Sequence, residues 1–499
     1  MNETKSYDLV ILNGRVMDPE TSLDAVRNVG ISGGTIAAVT GEKIAGKETI
    51  DASGRVVAPG FIDMHHHNAG VPFGEKLALR DGVTTPMELE AGVSPVDEWY
   101  SSLEGKCRSN YGATVGTLPV RERTFNPAYK TVYAGDAVYD LMAAPEQSHT
   151  SMKWSTQVAN PDEMKKIRQL LDEGLAQGAI GVGHTAGYMV AGCTQEESLI
   201  CQELAGKYGR AVFLHARFSS QMPPTSGLLG FLEQLAAQET YGGGLLIMHM
   251  TAQALADTQR ALEFIDLARA KGISVLPEVY PYDYGGTIVG ADYLHPDNYG
   301  PNMGRKYSDI IETATGTALT KDRYDELMKT APTTNVMFYN ATVETVYQAL
   351  AHPTTVLGSD AFPYVMKSDG SAVLDWDTPF DAVNGHPRAA GSHARFLSLV
   401  RNKKIDIPLM LAVSKMTDKI ATFLQDNGID QMAKKGRLQE GMDADITVFD
   451  PDTVTDNSTM KDGGLPSTGI PFVVVNGTVV IKDSVNVEGV FPGKPVMAS

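Results

Sequence analysis

The sequence predicts an α/β protein, a (β/α)8 TIM-like barrel joined to a small discontinuous β-sandwich domain drawn from both chain termini. Three observations lead there. Eight apolar runs alternate with segments of helical period between residues 59 and 429, strand-like segments of one texture occur at both ends, and the polar residues of chemical interest follow the apolar runs. At 499 residues the chain is too long for a single ordinary core of about 100–200 residues, although a barrel holds roughly 250 or more in one unit.

The small domain is expected from residues 1–58 plus 430–499. YDLVILNG, GRVMD, NVGISGG, TIAAVT and RVVAPG each end on Gly or another turn-forming residue, as in a small antiparallel sheet. Near the other end, ADITVFD at 444–450 and PFVVVNGTVVIKD at 471–483 alternate in the same way, with Asn476-Gly477 as a hairpin signal.

The barrel is expected from residues 59–429, with strands at FIDMHHH, VTTPMELE, NYGATVGT, AIGVGH, AVFLHAR, LLIMHMT, ISVLPEVYPY and TVLGSD. PDEMKKIRQLLDEGLAQG is the clearest helix, because Met164, Ile167, Leu170 and Leu171 share one face between an acidic start and a glycine stop. TQEESLICQELAGKYG and ALADTQRALEFIDLARAKG follow the same pattern. A stretch near 290–350, rich in Tyr, Asp, Asn and Gly, is too long for an ordinary connection and reads as a lid-like insertion.

Composition excludes several classes. Hydrophobic residues make up 42% and charged residues 20%, and no run of 18 apolar residues occurs, so a soluble chain with no membrane span is expected. The opening MNETKSYDLVILNG lacks the pattern of a secretory signal, which predicts a cytoplasmic location. A formal charge of −18 argues against a nucleic-acid partner and favours solubility; the expected partner is a small-molecule substrate, with a homo-oligomer left open. Cys107, Cys193 and Cys201 are too few and scattered for a disulfide framework and read as reduced thiols.

The chemistry is carried by histidines. His65 and His67 stand at i and i+2 after an apolar strand, so they share a face and can bind one ion, while His66 points away. A single histidine is commonly a core residue. Here His215 after AVFL and His249 after LLIM repeat the placement, and Asp360 in TVLGSDAFP adds a carboxylate on the same rim. Four histidines and one carboxylate suit one or two Zn²⁺ ions. Two ions need a bridging anion, and VTTPMELEAG offers Glu88 and Glu90 with the same parity. Glu90, nearer the strand end, is the preferred ligand.

These segments resemble a known group. APGFIDMHHH, GSDAFP and KGRLQEGMDADITVFDP are similar to the amidohydrolase superfamily, and AIGVGHTAGYMVAGCTQEE, LPEVYPYDYGGT and HPRAAGSHARFL resemble its D-aminoacylase, or N-acyl-D-amino-acid deacylase, group almost from end to end. TTPMELEAGVSPVDEWY is closer to N-acyl-D-glutamate deacylases. The resemblance implies zinc ligands at His65, His67, His215 and His249, and a catalytic aspartate at Asp360 that is also a ligand. It implies a bridging cysteine near Ala91, where this chain has Glu90 beside it, which supports Glu90 as the replacement. The group's Gly-His-Gly motif falls on Gly116, Thr117 and Leu118, and its lysine after the sixth strand on Thr251.

The activity so implied is hydrolysis of the amide bond of N-acyl-D-amino acids, with N-acyl-D-glutamate among the candidates. Asp360 is expected to move the proton, and Tyr188 or His184 to hold the oxyanion. Arg388 of the His-Pro-Arg motif and Arg217 beside His215 are expected to bind the substrate carboxylate, with Arg121 and Arg123 behind them and Tyr282 in the pocket. A cyclic amidase of the hydantoinase or dihydroorotase kind would need a bridging lysine after the fourth strand, and Ala179 to Cys193 contains none. A non-catalytic relative would have lost ligands, and all five carried-over positions are filled.

Overall fold

The computed structural model describes residues 6–134, 136–142, 149–150, 152–220 and 226–499. Its centre is an eight-stranded parallel sheet whose strands follow one another in chain order: β1 (Phe61–Asp63), β2 (Val83–Val93), β3 (Gly112–Gly116), β4 (Gly181–His184), β5 (Ala211–Leu214), β6 (Gly244–Ile247), β7 (Val275–Val279) and β8 (Val356–Leu357). Every residue of these strands is buried, as expected where a barrel interior lies on one face and helices on the other. The ring closes just beyond its last strand, where His66 pairs in parallel with Ala361 and the His67 amide donates to the Ala361 carbonyl at 2.9 Å. Each of the eight apolar runs overlaps one of these strands.

β2 is the exceptional strand. It runs on past the register of β3, with the pairing shifted between Glu88 and Val93. Gly92 at φ 65 permits this bulge, since a Cβ there would lie 2.6 Å from the Gly116 nitrogen. Bulges at a barrel rim re-aim side chains, and this one carries Glu90.

The helix Pro161–Ala176 starts on an Asn160–Glu163 capping box and buries Met164, Ile167, Leu170 and Leu171, the face predicted from spacing. Gln195–Lys207 and Thr258–Ala270 are the other two anticipated helices.

Both chain ends form one nine-stranded sheet. Its long strand Ser6–Asp18 pairs with Ala45–Asp51 along its first half and with Val56–Pro59 along its second, so the sheet forks around a core that includes Leu9, Ile11, Val29, Ile446 and Val474. Two details differ from the sequence expectation. YDLVILNG and GRVMD are one strand, because Gly14 does not stop it: the register shifts there beside Asn13 at φ 61, and a Gly14 Cβ would sit 2.4 Å from Val57 Cγ2. Ala45–Asp51 was not anticipated, its mostly exposed, polar residues giving no apolar alternation. Asn476 and Gly477, at φ 46 and 80, form the expected turn between Phe472–Val475 and Thr478–Lys482. The C-terminal tail then crosses to the barrel, where the Val496 and Ala498 amides donate to Tyr111 and Gly178 at the starts of β3 and β4.

The insertion between β7 and β8, read from the sequence as lid-like, is a folded unit with its own sheet. Tyr284–Ile288, Ile310–Glu312, Thr317–Ala318 and Asn335–Tyr339 form an antiparallel sheet, and Leu294, Tyr299, Tyr324, Leu327 and Phe338 give it apolar packing. Its short strands, mixed with Tyr, Gly and Asn, hide their alternation. Val343–Ala351 is the crossover helix that returns the chain to β8. Among the described residues no helix is long and apolar enough to cross a membrane.

Candidate metal centre

The C-terminal rim gathers the six expected donors. His65 and His67 lie just past β1, Glu90 on the β2 bulge, His215 and His249 just past β5 and β6, and Asp360 just past β8. His249 at φ 29 and Asp360 at φ 51 hold left-handed backbone conformations uncommon away from glycine, which turn both side chains back over the rim.

Glu90 divides the cluster into halves. Its Oε2 lies 3.5 Å from His65 Nε2 and 3.4 Å from His67 Nε2, and Asp360 Oδ1 lies 3.3 and 3.5 Å from the same nitrogens. Those separations exceed good hydrogen bonds. They match the edge of a zinc tetrahedron, roughly 3.3 Å for bonds of about 2.0–2.1 Å. The other oxygen, Oε1, sits 3.0 Å from His215 Nδ1 and 2.7 Å from His249 Nε2, at hydrogen-bond length. One half is therefore spaced for an ion, and the other is drawn together. Among the described residues, the buried His65 Nε2 and His215 Nε2 have no hydrogen-bond partner. Unsatisfied buried nitrogens in a set of imidazoles and carboxylates fit a zinc site.

Carboxylates behind the histidines orient them. Glu278 Oε2 accepts from His65 Nδ1 at 2.9 Å and from the His249 amide at 2.6 Å. Glu88 Oε2 accepts from His67 Nδ1 at 2.7 Å, while its Oε1 takes the Ala91 and Gly92 amides at 3.0 and 3.3 Å. Glu88 thus fixes both a histidine and the bulge that carries Glu90. Asp63 Oδ1 accepts from the His65 and Ser359 amides at 3.2 and 3.1 Å, tying β1 to β8.

The electrostatics follow from burial opposed by these pairs. Burial pushes the His65 imidazole down, but Asp360, Glu90 and Glu278 outweigh it and raise it to about 10. His67 rises well above its ordinary value, with Glu88 the largest influence against burial. Burial alone would raise Glu90, yet His65, His249 and His215 hold it well below the carboxylate range. Asp360 is likewise held low against burial, chiefly by Arg388 and then His65. Both shared carboxylates are anionic at neutral pH.

Two expected substrate contacts line the pocket. The Tyr188 ring packs against His215 at 4.6 Å, and its hydroxyl lies 3.2 Å from Thr287 Oγ1 and accepts from Tyr293 at 3.1 Å. Arg388 Nη1 pairs with Asp360 Oδ2 at 2.8 Å, its guanidinium 4.7 Å from the Tyr280 ring. Two others are corrections. Arg217 does not reach the pocket: it donates to Glu233, the Cys193 carbonyl and Ser198 Oγ at 2.9, 2.8 and 2.9 Å. β5 ends at Leu214, so the strand parity that aligned Arg217 with His215 has lapsed. Tyr282 lies beyond the end of β7 and turns to Asp456 at 3.5 Å beneath Arg395, and Tyr280 faces the pocket in its place. His184 also lies away from the donors, 3.0 Å from Ser198 Oγ and pushed down to about 3, first by burial. Arg121 pairs with Glu197, and Arg123 donates to Ser94 Oγ.

Glu278, Asp63 and Tyr280 were missed. The available signal was a charge inside VLPEV and FID, since a carboxylate in a strand buried on both faces must be satisfied internally. If Glu278 and Glu88 set the imidazole tautomers, Glu278→Gln and Glu88→Gln should each weaken zinc binding by about 10–100-fold in chelator competition. Unchanged affinity in both would show that these carboxylates serve packing alone.

The fold and donor set define a (β/α)8 barrel whose rim carries a buried His/Glu/Asp cluster suited to metal ions. More particularly, residues 48–106 match the amidohydrolase family. Over 96% of its length the chain is 26% identical to the D-aminoacylase of Alcaligenes xylosoxydans xylosoxydans, covering 95% of that protein. It is 27% identical to the same organism's N-acyl-D-glutamate deacylase, over 95% of this chain and 94% of the relative. The structure of the N-acyl-D-glutamate deacylase from Bordetella bronchiseptica, complexed with zinc and a phosphonate mimic of the tetrahedral intermediate, superposes with a TM-score of 0.76 at 23% identity, covering 99% of this chain and 100% of that one. The resemblance read from short motifs therefore extends over nearly the whole chain.

Proposed function

We propose that this protein is a zinc-dependent, cytoplasmic amidohydrolase that cleaves the linear amide of N-acyl-D-amino acids, releasing a carboxylate and a free amino acid. The observation that carries this reading is Glu90 held between two histidine pairs, with Asp360 and Arg388 beside one of them. The D configuration and the acylamino acid class are supported by the relatives' activities. The three free, buried cysteines are compatible with a reducing compartment.

His65, His67 and Glu90, with Asp360 near both imidazoles, would hold one zinc ion, and Glu90, His215 and His249 would hold a second. When bound, zinc supplies a water whose pKa falls toward about 7 and a Lewis acid for the amide carbonyl. Asp360 removes the proton of the attacking water and delivers it to the departing nitrogen, for which its low pKa keeps it ionised at the outset. Burial first, then Glu90, push the Tyr188 phenol up to about 12, so it keeps a proton to donate toward the developing oxyanion. Arg388 is the one Arg or Lys among the described residues lining the site, and it anchors the substrate carboxylate.

A panel of N-acetyl-D-amino acids, their L enantiomers, hydantoin and dihydroorotate tests this. Zinc-loaded protein should hydrolyse the D substrates with at least ~100-fold higher kcat/KM than the others, corresponding to roughly 2.7 kcal/mol of differential transition-state binding. Turnover confined to the cyclic imides would overturn the reading.

A further inference from the structure

The histidines differ in what stands behind them. His65 and His67 each turn Nδ1 to a buried carboxylate, Glu278 at 2.9 Å and Glu88 at 2.7 Å. His249 has an amide in that place: its Nδ1 meets Gln253 Nε2 at 3.2 Å, and among the described residues Gln253 is the one hydrogen-bond partner of that nitrogen. His249 is the N-cap of the short helix Met250–Ala254, so Gln253, four residues on, returns over the same face and is buried there. The other end of the amide, Oε1, lies 3.4 Å from Ser219 Oγ. His249 Nε2 points the opposite way, to Glu90 Oε1 at 2.7 Å.

We infer, resting on the proposed zinc site with His249 Nε2 as a donor, that Gln253 is the positioning residue that sets the tautomer of His249, and that it works in two directions. An imidazole that gives Nε2 to a metal carries its proton on Nδ1, and the hydrogen bond made there fixes the tautomer. Gln253 Oε1 accepts that proton, and the Gln253 nitrogen then donates to Ser219 Oγ. In the other direction the Ser219 hydroxyl donates to Oε1, the Gln253 nitrogen donates to His249 Nδ1, and His249 Nε2 donates its own proton to Glu90 Oε1. The amide atoms stand in this second direction, Oε1 toward Ser219 and Nε2 toward His249. Each donor has an acceptor both ways, because a primary amide carries both functions and a hydroxyl turns to suit. Only a half-turn of the amide plane separates them.

A carboxylate serves one direction alone, since an ionised carboxylate accepts and never donates. Glu278 and Glu88 therefore hold His65 and His67 with the proton on Nδ1, whereas Gln253 leaves His249 adjustable. Zinc at Glu90, His215 and His249 has to reverse the whole chain from Ser219 to Glu90. Packing alone does not require an amide here, because methionine has the same length and suits a buried position.

Chelator-competition titration of the full chain with Zn²⁺ tests this. Gln253→Glu keeps the length and supplies a fixed acceptor, so one of the two zinc affinities should tighten at least ~10-fold; Gln253→Met removes the acceptor and should weaken the same one by about 10–100-fold. A packing role predicts the reverse order, methionine neutral and the buried glutamate harmful. That order, or no change in either variant, overturns the assignment. The tautomer is read directly from the imidazole protons of zinc-loaded, ¹⁵N-histidine-labelled protein. The His249 Nδ1 signal should shift in Gln253→Glu and be lost to exchange in Gln253→Met, with those of His65 and His67 in place. Should both variants fail to fold, the wild-type spectrum decides: a zinc-loaded His249 without a hydrogen-bonded Nδ1 proton refutes the role of Gln253. Wild-type protein that binds no zinc at all would instead overturn the metal reading beneath it.

Discussion

Asp360→Asn should lower kcat/KM for an N-acyl-D-amino acid by about 10²- to 10⁴-fold, the range expected when a group that moves a proton in the transition state is lost. The zinc content should change far less. Asp360 splits its oxygens between two tasks, Oδ1 toward His65 and His67 and Oδ2 toward Arg388 at 2.8 Å. Asparagine keeps one oxygen for the donor set, and His65, His67 and Glu90 remain in place, so at least one ion should be retained. What asparagine cannot do is accept the water proton or balance the Arg388 charge. Measuring kcat/KM together with zinc by atomic absorption separates these effects. Near-normal turnover would remove Asp360 from proton transfer, and loss of all zinc would make it mainly a ligand.

The arrangement that supports this expectation was readable where one periodicity governs both sequence and structure. The eight barrel strands are apolar runs because both their faces are buried, and four of those runs end beside the residues His65, His215, His249 and Asp360. Parity also placed Glu88 and Glu90 together, and both are buried, Glu90 among the four histidines and Glu88 behind one of them. The same argument failed once the chain left the ladder. Arg217 follows Leu214, the end of β5, so it did not keep the facing of its strand; Tyr282, expected in the pocket from the resemblance alone, likewise lies past Val279, the end of β7. For Glu278 the sequence offers only a charge inside an apolar strand: its partner, His65, lies more than 200 residues away, which no local pattern encodes. The folded character of the insertion was not legible because its short strands find their partners in one another, Tyr284–Ile288 with Asn335–Tyr339, across about 50 residues.

Glu90→Gln should have the broader effect, loss of both metal ions and with them all hydrolysis. Zinc binding worth about 10–16 kcal/mol over four donors gives each donor roughly 3 kcal/mol, or about 10²-fold in affinity. Glu90 is the one donor common to both halves, so that penalty falls on each ion. Its charge adds to this. Burial opposes the Glu90 carboxylate, and only His65, His249 and His215 keep it ionised so far below its ordinary range. The neutral amide keeps the shape and an oxygen but removes the anion that brings two dications together. Glu88→Gln provides the contrast, since Glu88 touches His67 Nδ1 and the bulge amides and lies behind the donor set. It should weaken zinc by only ~10–100-fold. Calorimetric zinc titration of metal-free wild type, Glu90→Gln and Glu88→Gln reads both effects. If Glu88→Gln abolishes binding while Glu90→Gln retains two ions, the bridge is Glu88, and the Glu90 position between the histidine pairs serves only their hydrogen bonding.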